Sequence, residues 1–342
     1  MTKIKAIAYG LGTVGIDVIA PAVDKGIEFV GAIDINPDLV GRDLGEAAGL
    51  GKDLGVKISA DAAEVLANNP ADVVFLSLFN DVRQMQPFIE DCVRAGLNVI
   101  TPADDAVYPW AHAPEVSAAI DELAKSKGVS VIGSGLSDAL VVSLVASLAG
   151  ACHNLSKVKT DTRSCLNHAS AYDLQKFGVG HDPEIVRAMF ADFDELPAKR
   201  TTFEAIAADM GLKVTDFGGG YWPVVAEKDF YVPEHDLHVK AGTTMGIGSD
   251  ATLETEEGIS FEGVIRFELY PEGEADAGHS KMTLSGTPDI SVVMSDIDVH
   301  GHVCYQIVNR VPDAIKAAPG LITNDELPRP KYRAFALDSY LS

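Results

Sequence analysis

The feature that most constrains this chain is a glycine-rich turn set at the end of its first strand-like run. Residues 4–9 are short and apolar, and Gly10-Leu11-Gly12-Thr13-Val14-Gly15 follows at once. In a turn of this spacing Gly10 lets the chain reverse tightly, Gly12 lets the backbone approach a pyrophosphate, and Gly15 lets the next helix pack against the strand. Leu11, Thr13 and Val14 then belong to the turn and first helical residues, whose N–H groups face a phosphate. A second strand-like run, 29–34, ends on Asp34, about 20 residues beyond the turn, where an acid can accept both ribose hydroxyls. Strand, turn, helix, strand and acid in this order predict a doubly wound parallel sheet of the Rossmann kind that binds a dinucleotide.

Asp34 also bears on which dinucleotide. Its carboxylate repels a 2′-phosphate, and Ile35 and Asn36, which follow it, bring no compensating cation. NAD is therefore expected, with Arg42 near enough in sequence to keep NADP open.

The rest of the first 135 residues repeats the same grammar. Buried-strand runs at 71–78, 97–101 and 129–133, with a weaker one at 56–59, alternate with helical patterns at 14–24, 62–67, 82–95 and 114–127. That rhythm requires a parallel sheet covered on both faces. A helical stretch at 137–150 follows, and then the pattern changes. Runs at 158–163, 237–244, 259–270, 281–285 and 291–299 read as strands with few helices between them, which predicts a second α+β domain with a mostly antiparallel sheet. Residues 307–317 read as a helix stopped by Pro319-Gly320. The expected division is 1–140 as the dinucleotide-binding domain, rejoined by 305–342, and 141–304 as the domain for substrate binding and dimerisation.

Ligands of open α/β sheets sit beyond the carboxyl ends of the strands. At those ends stand Leu78-Phe79-Asn80, expected beside the cofactor ribose or as a helix cap, and Thr101-Pro102 followed by Asp104-Asp105 and Tyr108-Pro109-Trp110. An acidic pair with aromatics there can hold a polar or cationic substrate, or simply cap a helix. In the second domain Arg163, His168 and Tyr172 lie where a strand runs into a loop, and His168 or Tyr172 can serve as proton donor. His235-x-x-His238 and His300-x-His302 lack a third ligand in a recognisable pattern, so no metal is expected. Gly218-Gly219-Gly220-Tyr221-Trp222-Pro223 reads as a flexible loop with an aromatic tip.

Composition closes off several classes of function. With 50 Asp+Glu against 27 Lys+Arg, a formal charge of −23 repels nucleic acid and anionic membranes. Four scattered cysteines without C-x-x-C fit reduced thiols, and residues 1–10 enter a strand without a signal-like segment, so a cytoplasmic protein acting on a small molecule is expected. Hydrolase, zinc-protease and Walker motifs are absent from the sequence.

Beyond the fingerprint, the run from Gly31 through Asp34-Ile35-Asn36-Pro37 to Gly45 carries a resemblance, as do Tyr108-Pro109-Trp110, Lys176-Phe177-Gly178-Val179-Gly180, and Val308-Asn309-Arg310-Val311-Pro312 through Pro319-Gly320-Leu321-Ile322-Thr323. Together they make the chain resemble the dihydrodipicolinate reductase-like NAD(P)-dependent dehydrogenases, in the branch of 2,4-diaminopentanoate dehydrogenase and the native amine dehydrogenases. The resemblance implies a homodimer that oxidises a primary amine to a carbonyl compound and ammonia, or runs reductive amination. It also implies that a Glu just before the Tyr-Pro pair handles ammonia and protons; Asp104 matches that position best, with Asp105 as the alternative. Here an Asp replaces the Glu, and Gly135-Leu136-Ser137-Asp138 stands where relatives carry an Asn-Pro-Gly turn. Those departures keep two further readings in view. One is an alcohol dehydrogenase or ketone reductase on the same scaffold, using Tyr172 or His168. The other is a non-catalytic NAD-binding sensor.

Overall fold

The computed structural model describes residues 3–169, 171–191, 199–274, 278–295 and 299–341. They form two compact units, 1–144 with 298–342 and 145–297. The first unit begins β1 (Lys5–Tyr9), α1 (Thr13–Asp17), α2 (Ile19–Asp24), β2 (Glu28–Ile33), α3 (Leu44–Ala47), β3 (Ile58–Ser59) and α4 (Ala62–Asn68). It continues β4 (Val73–Leu76), α5 (Val82–Arg94), β5 (Asn98–Thr101), α6 (Pro114–Lys127) and β6 (Ser130–Gly133). A 3-10 turn, Asp104–Val107, follows β5, and a π-helical turn, Asp138–Ser143, follows β6. The boundary falls at the first residue of α7 (Leu144–Ala149), and the second unit continues with β7 (Asn154–Cys165), α8 (Ala171–Lys176), α9 (Pro183–Ala191), α10 (Arg200–Asp209), β8 (Val214–Val225) and β9 (Phe230–Val232). It ends with β10 (Leu237–Val239), β11 (Thr244–Thr255), β12 (Ser260–Glu268), β13 (His279–Thr287) and β14 (Ile290–Ser295). The chain then re-enters the first unit with α11 (Val299–Lys316) and β15 (Gly320–Ile322).

The first unit is a seven-stranded sheet in the order β15-β6-β5-β4-β1-β2-β3, with every pairing parallel. Alternate residues of β1 serve opposite layers, as the two-residue strand period dictates. Ala6 and Ala8 face a core with Ile19, Phe75, Ile307 and Val311, whereas Ile7 and Tyr9 face one with Met85, Ile89 and Ile120. Each fully buried Ile or Met side chain stabilises the fold by about 1.5–3 kcal/mol. The order reverses between β4 and β1, which opens the crevice where such sheets bind ligands.

The second unit holds a six-stranded sheet in the order β14-β13-β7-β12-β11-β8, antiparallel except for the β7–β12 pair, and a β9–β10 hairpin. Helix α10 covers one face: Phe203 packs on Phe261 with ring centres 5.5 Å apart. Gly263 makes that seating feasible, since a Cβ there would lie 2.6 Å from the Phe203 ring.

The predicted fold class, a doubly wound sheet plus a mostly antiparallel α+β unit, is what the structure shows. Several local expectations are corrected. The helix expected over 14–24 is split at Val18 into α1 and α2, because Pro21 has no N–H for the carbonyl one turn back. Residues 218–223 are not a loop; they lie within edge strand β8, paired with β11. The 237–244 run divides into β10 and the start of β11, and α8, α9 and α10 occupy a stretch expected to be poor in helix. The last expected strand stops at Ser295, and α11 begins at Val299, eight residues before the helix expected at 307. His302 therefore sits on this helix; the His300 side chain lies outside the described residues. Pro319-Gly320 ends the helix and opens β15, an added parallel strand. Among the described residues no helix is long and apolar enough to cross a membrane.

Candidate active site

At the switch point the three fingerprint glycines meet three different demands. Gly10 has φ 84°, and a Cβ there would lie 2.3 Å from the Ser77 carbonyl oxygen. A Cβ on Gly15 would lie 1.8 Å from the Gly10 carbonyl oxygen, so helix and strand can approach only because it is absent. Among the described residues, no atom beyond Gly12 and its chain neighbours lies within 4 Å of where its Cβ would be. Internal packing thus explains the first and third glycines but not the second. Close approach of a pyrophosphate does explain it, so the donor set fits a dinucleotide. Thr13 and Val14 open α1, where the first N–H groups have no partner within the helix.

Asp34 holds this turn in shape. Its Oδ2 accepts the Leu11 N–H at 2.6 Å and its Oδ1 accepts the Asn36 N–H at 2.7 Å. Ile35 projects into solvent, 84% exposed, and the Asn36 side chain accepts the Asp38 N–H at 3.0 Å. Arg42 is paired with Glu46 at 3.1 Å one helical turn on, both side chains largely exposed.

Val14, Gly15, Phe75, Ser77, Ile100 and Pro102 line one small apolar crevice, so the carboxyl ends of β4 and β5 border the glycine turn. Leu78 packs at this edge, where its side chain would touch a Cβ on Gly10. Phe79 is 46% exposed and leans on Phe88, with ring centres 5.9 Å apart. Asn80 is not the cap of α5; Asp81 is, accepting the Arg83 N–H at 2.8 Å. The Asn80 Oδ1 instead accepts the Asp104 N–H at 2.8 Å, joining the end of β4 to the turn after β5. Thr101 is fully buried, and its Oγ1 accepts the Ala103 N–H at 3.2 Å.

The 3-10 turn separates the two neighbouring acids. Asp104 is exposed, and its Oδ1 accepts the Ser137 hydroxyl at 3.1 Å. Asp105 is half-buried and faces His112, with Oδ2 3.7 Å from Nε2. Trp110 packs into the α5–α6 side of the core. The expected acidic pair therefore works as two separate groups, one at the sheet's carboxyl edge and one turned towards a buried imidazole.

Behind Ser137 lies an anchor that sequence reasoning did not identify. Asp138 and Arg310 are both essentially inaccessible and form a two-pronged ion pair, Nε–Oδ2 2.7 Å and Nη2–Oδ1 2.8 Å. The Ser134 hydroxyl at 3.0 Å and the Asn324 amide also donate to Asp138, while Arg310 donates to the Pro328 carbonyl at 2.5 Å. Burial alone would lower the Arg310 pKa; the hydrogen bonds and charge of Asp138 outweigh it and hold the value above the usual one.

In the second unit Arg163 pairs with buried Glu268 at 2.7 Å, and the Tyr270 hydroxyl donates to the same carboxylate at 3.1 Å. Burial first, then the Glu268 charge, pushes the Tyr270 phenol well above its ordinary value. Asn167 clasps Tyr270 through both backbone groups, at 3.0 and 2.9 Å. Arg163 was expected at a strand end; Glu268 and Tyr270 come from β12 and its exit, more than a hundred residues away, and no local pattern joins them. His168 is exposed in the loop after β7, and the Tyr172 side chain lies outside the described residues. Among the described residues no group of three metal-binding side chains assembles.

No protein-family model matches the chain. It is 26% identical over 345 residues to 2,4-diaminopentanoate dehydrogenase of Acetoanaerobium sticklandii, covering 97% of this chain and 95% of that protein. A segment of 114 residues is 34% identical to an amine dehydrogenase of Streptomyces virginiae, covering 32% of this chain and 31% of that one. The structure of the amine dehydrogenase from Mycobacterium smegmatis superposes with a TM-score of 0.89 at 31% identity, covering 98% of each chain. Likeness of this extent in both sequence and fold, with the dinucleotide turn in place, makes the chain a dehydrogenase of the NAD(P)-dependent, dihydrodipicolinate reductase-like family, in its branch of 2,4-diaminopentanoate and amine dehydrogenases.

Proposed function

We propose that the protein is an NAD-dependent amine dehydrogenase that interconverts a small primary amine with the corresponding ketone or aldehyde and ammonia, and that Asp104 is its proton-handling group. The observation that carries this reading is the position of Asp104: exposed at the carboxyl edge of the sheet, tied to Asn80 from β4 and to Ser137 beyond β6. Gly10, Leu11, Gly12, Thr13, Val14 and Gly15 would hold the pyrophosphate, Asp34 the ribose, and Leu78, Phe79, Thr101 and Pro102 the neighbouring edge. The bound nicotinamide supplies hydride acceptance or donation. Asp104 takes a proton from the substrate ammonium in one direction and returns it in the other. A carboxylate also attracts an ammonium, which favours amine over alcohol.

Three supports favour NAD over NADP: the Asp34 carboxylate, the absence of a cation at Ile35 and Asn36, and the engagement of Arg42 with Glu46. The second unit, 145–297, is assigned substrate binding and a role in homodimer formation. A sheet with α10 on one face needs cover for the other. The free cysteines Cys92, Cys152, Cys165 and Cys304 accord with a cytoplasmic protein.

The test is Asp104→Asn beside Asp105→Asn, assayed for NAD reduction with matched short amines and alcohols. Asp104→Asn is expected to lose at least about a hundredfold in kcat while NADH affinity is retained. Asp105→Asn is expected to stay within about tenfold of the parent. Full turnover in Asp104→Asn, or oxidation of alcohols in preference to amines, would remove the assignment.

A further inference from the structure

The Asp104 side chain is short and sits on a turn, so something outside the turn has to set its direction. We propose that Ser137 is the positioning residue for Asp104: its hydroxyl, donating to Oδ1 at 3.1 Å, orients the carboxylate at the sheet edge and favours its charged form. This inference rests on the assignment of Asp104 as the proton-handling group.

The geometry behind it is a chain of fixed points. The Asp104 N–H is held by Asn80, and Ala103 by the buried Thr101 hydroxyl. Gly133, at the end of β6, lies against the 3-10 turn so closely that a Cβ would be 2.2 Å from the Ala106 carbonyl carbon. The backbone leaving β6 is pinned by Ser134 N–H to Thr101 O at 2.9 Å, and by Asp138 N–H to Gly135 O at 3.1 Å. Ser137 directly precedes Asp138, whose carboxylate is locked to Arg310. The Ser137 hydroxyl is thus a donor carried on an anchored turn, which is how a single hydrogen bond can fix a short side chain. A donor to the ionised form lowers the pKa of a carboxylate, so losing it raises that pKa. Among the described residues, charged side chains close to this pair along the chain have partners of their own: Asp105 against His112 at 3.7 Å, Asp81 with Arg83 at 3.6 Å, and Asp138 with Arg310.

The experiment compares Ser137→Ala and Ser137→Thr with the parent and with Asp104→Asn. It records kcat and KM for a short primary amine across pH, and NADH affinity by fluorescence. Ser137→Ala is expected to lower kcat about tenfold, with KM and NADH affinity within about twofold. The acid limb of its kcat profile is expected to move upward by about half to one pH unit. Ser137→Thr, which keeps the hydroxyl, is expected to restore both. Asp104→Asn at full turnover would overturn the catalytic reading itself. An inactive Asp104→Asn beside a Ser137→Ala with parental rate and profile would overturn only the positioning role. A slower Ser137→Ala whose profile does not move, or that Thr does not rescue, marks a purely structural serine and also overturns it.

Discussion

Removing the positive half of the Asp138–Arg310 pair tests whether this anchor sustains the first unit. In Arg310→Met the new side chain replaces much of the arginine stem, so the change is mainly one of charge and hydrogen bonding. Asp138 keeps the Ser134 hydroxyl and the Asn324 amide but loses both guanidinium bonds, at 2.7 and 2.8 Å, and the Pro328 carbonyl loses its 2.5 Å donor. A buried pair broken on one side costs about 3–5 kcal/mol, because the surviving charge stays desolvated. At about 2–4 °C per kcal/mol for a unit of this size, the first unit should melt roughly 6–20 °C earlier. The chain has two tryptophans, Trp110 in the first unit and Trp222 in the second, so a Trp222→Phe background leaves Trp110 fluorescence as reporter of the first unit alone. Adding Asp138→Asn to Arg310→Met removes the stranded charge while keeping an acceptor for its neighbours, and should recover about 2 kcal/mol or more. An Arg310→Met variant within about 1 kcal/mol of the parent, or a double variant no more stable than the single, would refute the reasoning.

Two further outcomes follow from carboxylates in the first unit. In Asp34→Ser, NAD affinity is expected to fall about tenfold while NADP affinity rises, the serine still able to accept one turn N–H; equilibrium binding of both cofactors checks this, and an unchanged NADP affinity would exclude Asp34 as the discriminating charge. Asp43 caps α3, accepting N–H groups from Leu54 at 2.8 Å and Gly45 at 2.9 Å. The Leu54 bond above all, against the opposing effect of burial, holds its carboxyl below the ordinary range. A depressed folded-state pKa means that the contribution is complete above the unfolded value near 4 and disappears as pH falls through the folded one. The melting difference between parent and Asp43→Asn should therefore be widest near neutrality and close in acid; a difference independent of pH would contradict it.

What could be read from the sequence, and what could not, divides by distance along the chain. The strands of the first unit were legible because a strand buried on both faces writes itself as a short apolar run between turn residues, and the glycine turn carries its geometry in six consecutive residues. Strand β15 was not, since three residues pair with β6 nearly two hundred positions earlier and nothing local marks them. Glycines 218–220 read as a breaker, yet in β8 they admit the neighbouring strand: a Cβ on Gly219 would lie 2.2 Å from the Asp250 carbonyl oxygen. Helix α10 is buried continuously from Thr201 to Ala207, Thr201, Thr202 and Glu204 included, so its polar residues do not mark a solvent face as they do in most helices. Asp138 and Arg310 each look like ordinary surface charges until the fold joins them.

The candidate site follows the same rule with one refinement. Asp104 and Asp105 are adjacent and identical in kind, so no argument from residue type can assign them different tasks. The turn does. Successive residues of a 3-10 helix point about 120° apart. One carboxylate can therefore face the strand ends and Ser137 only if its neighbour is directed elsewhere, here towards His112. Two acids so divided meet different partners, which is why substituting each of them singly separates chemistry from packing.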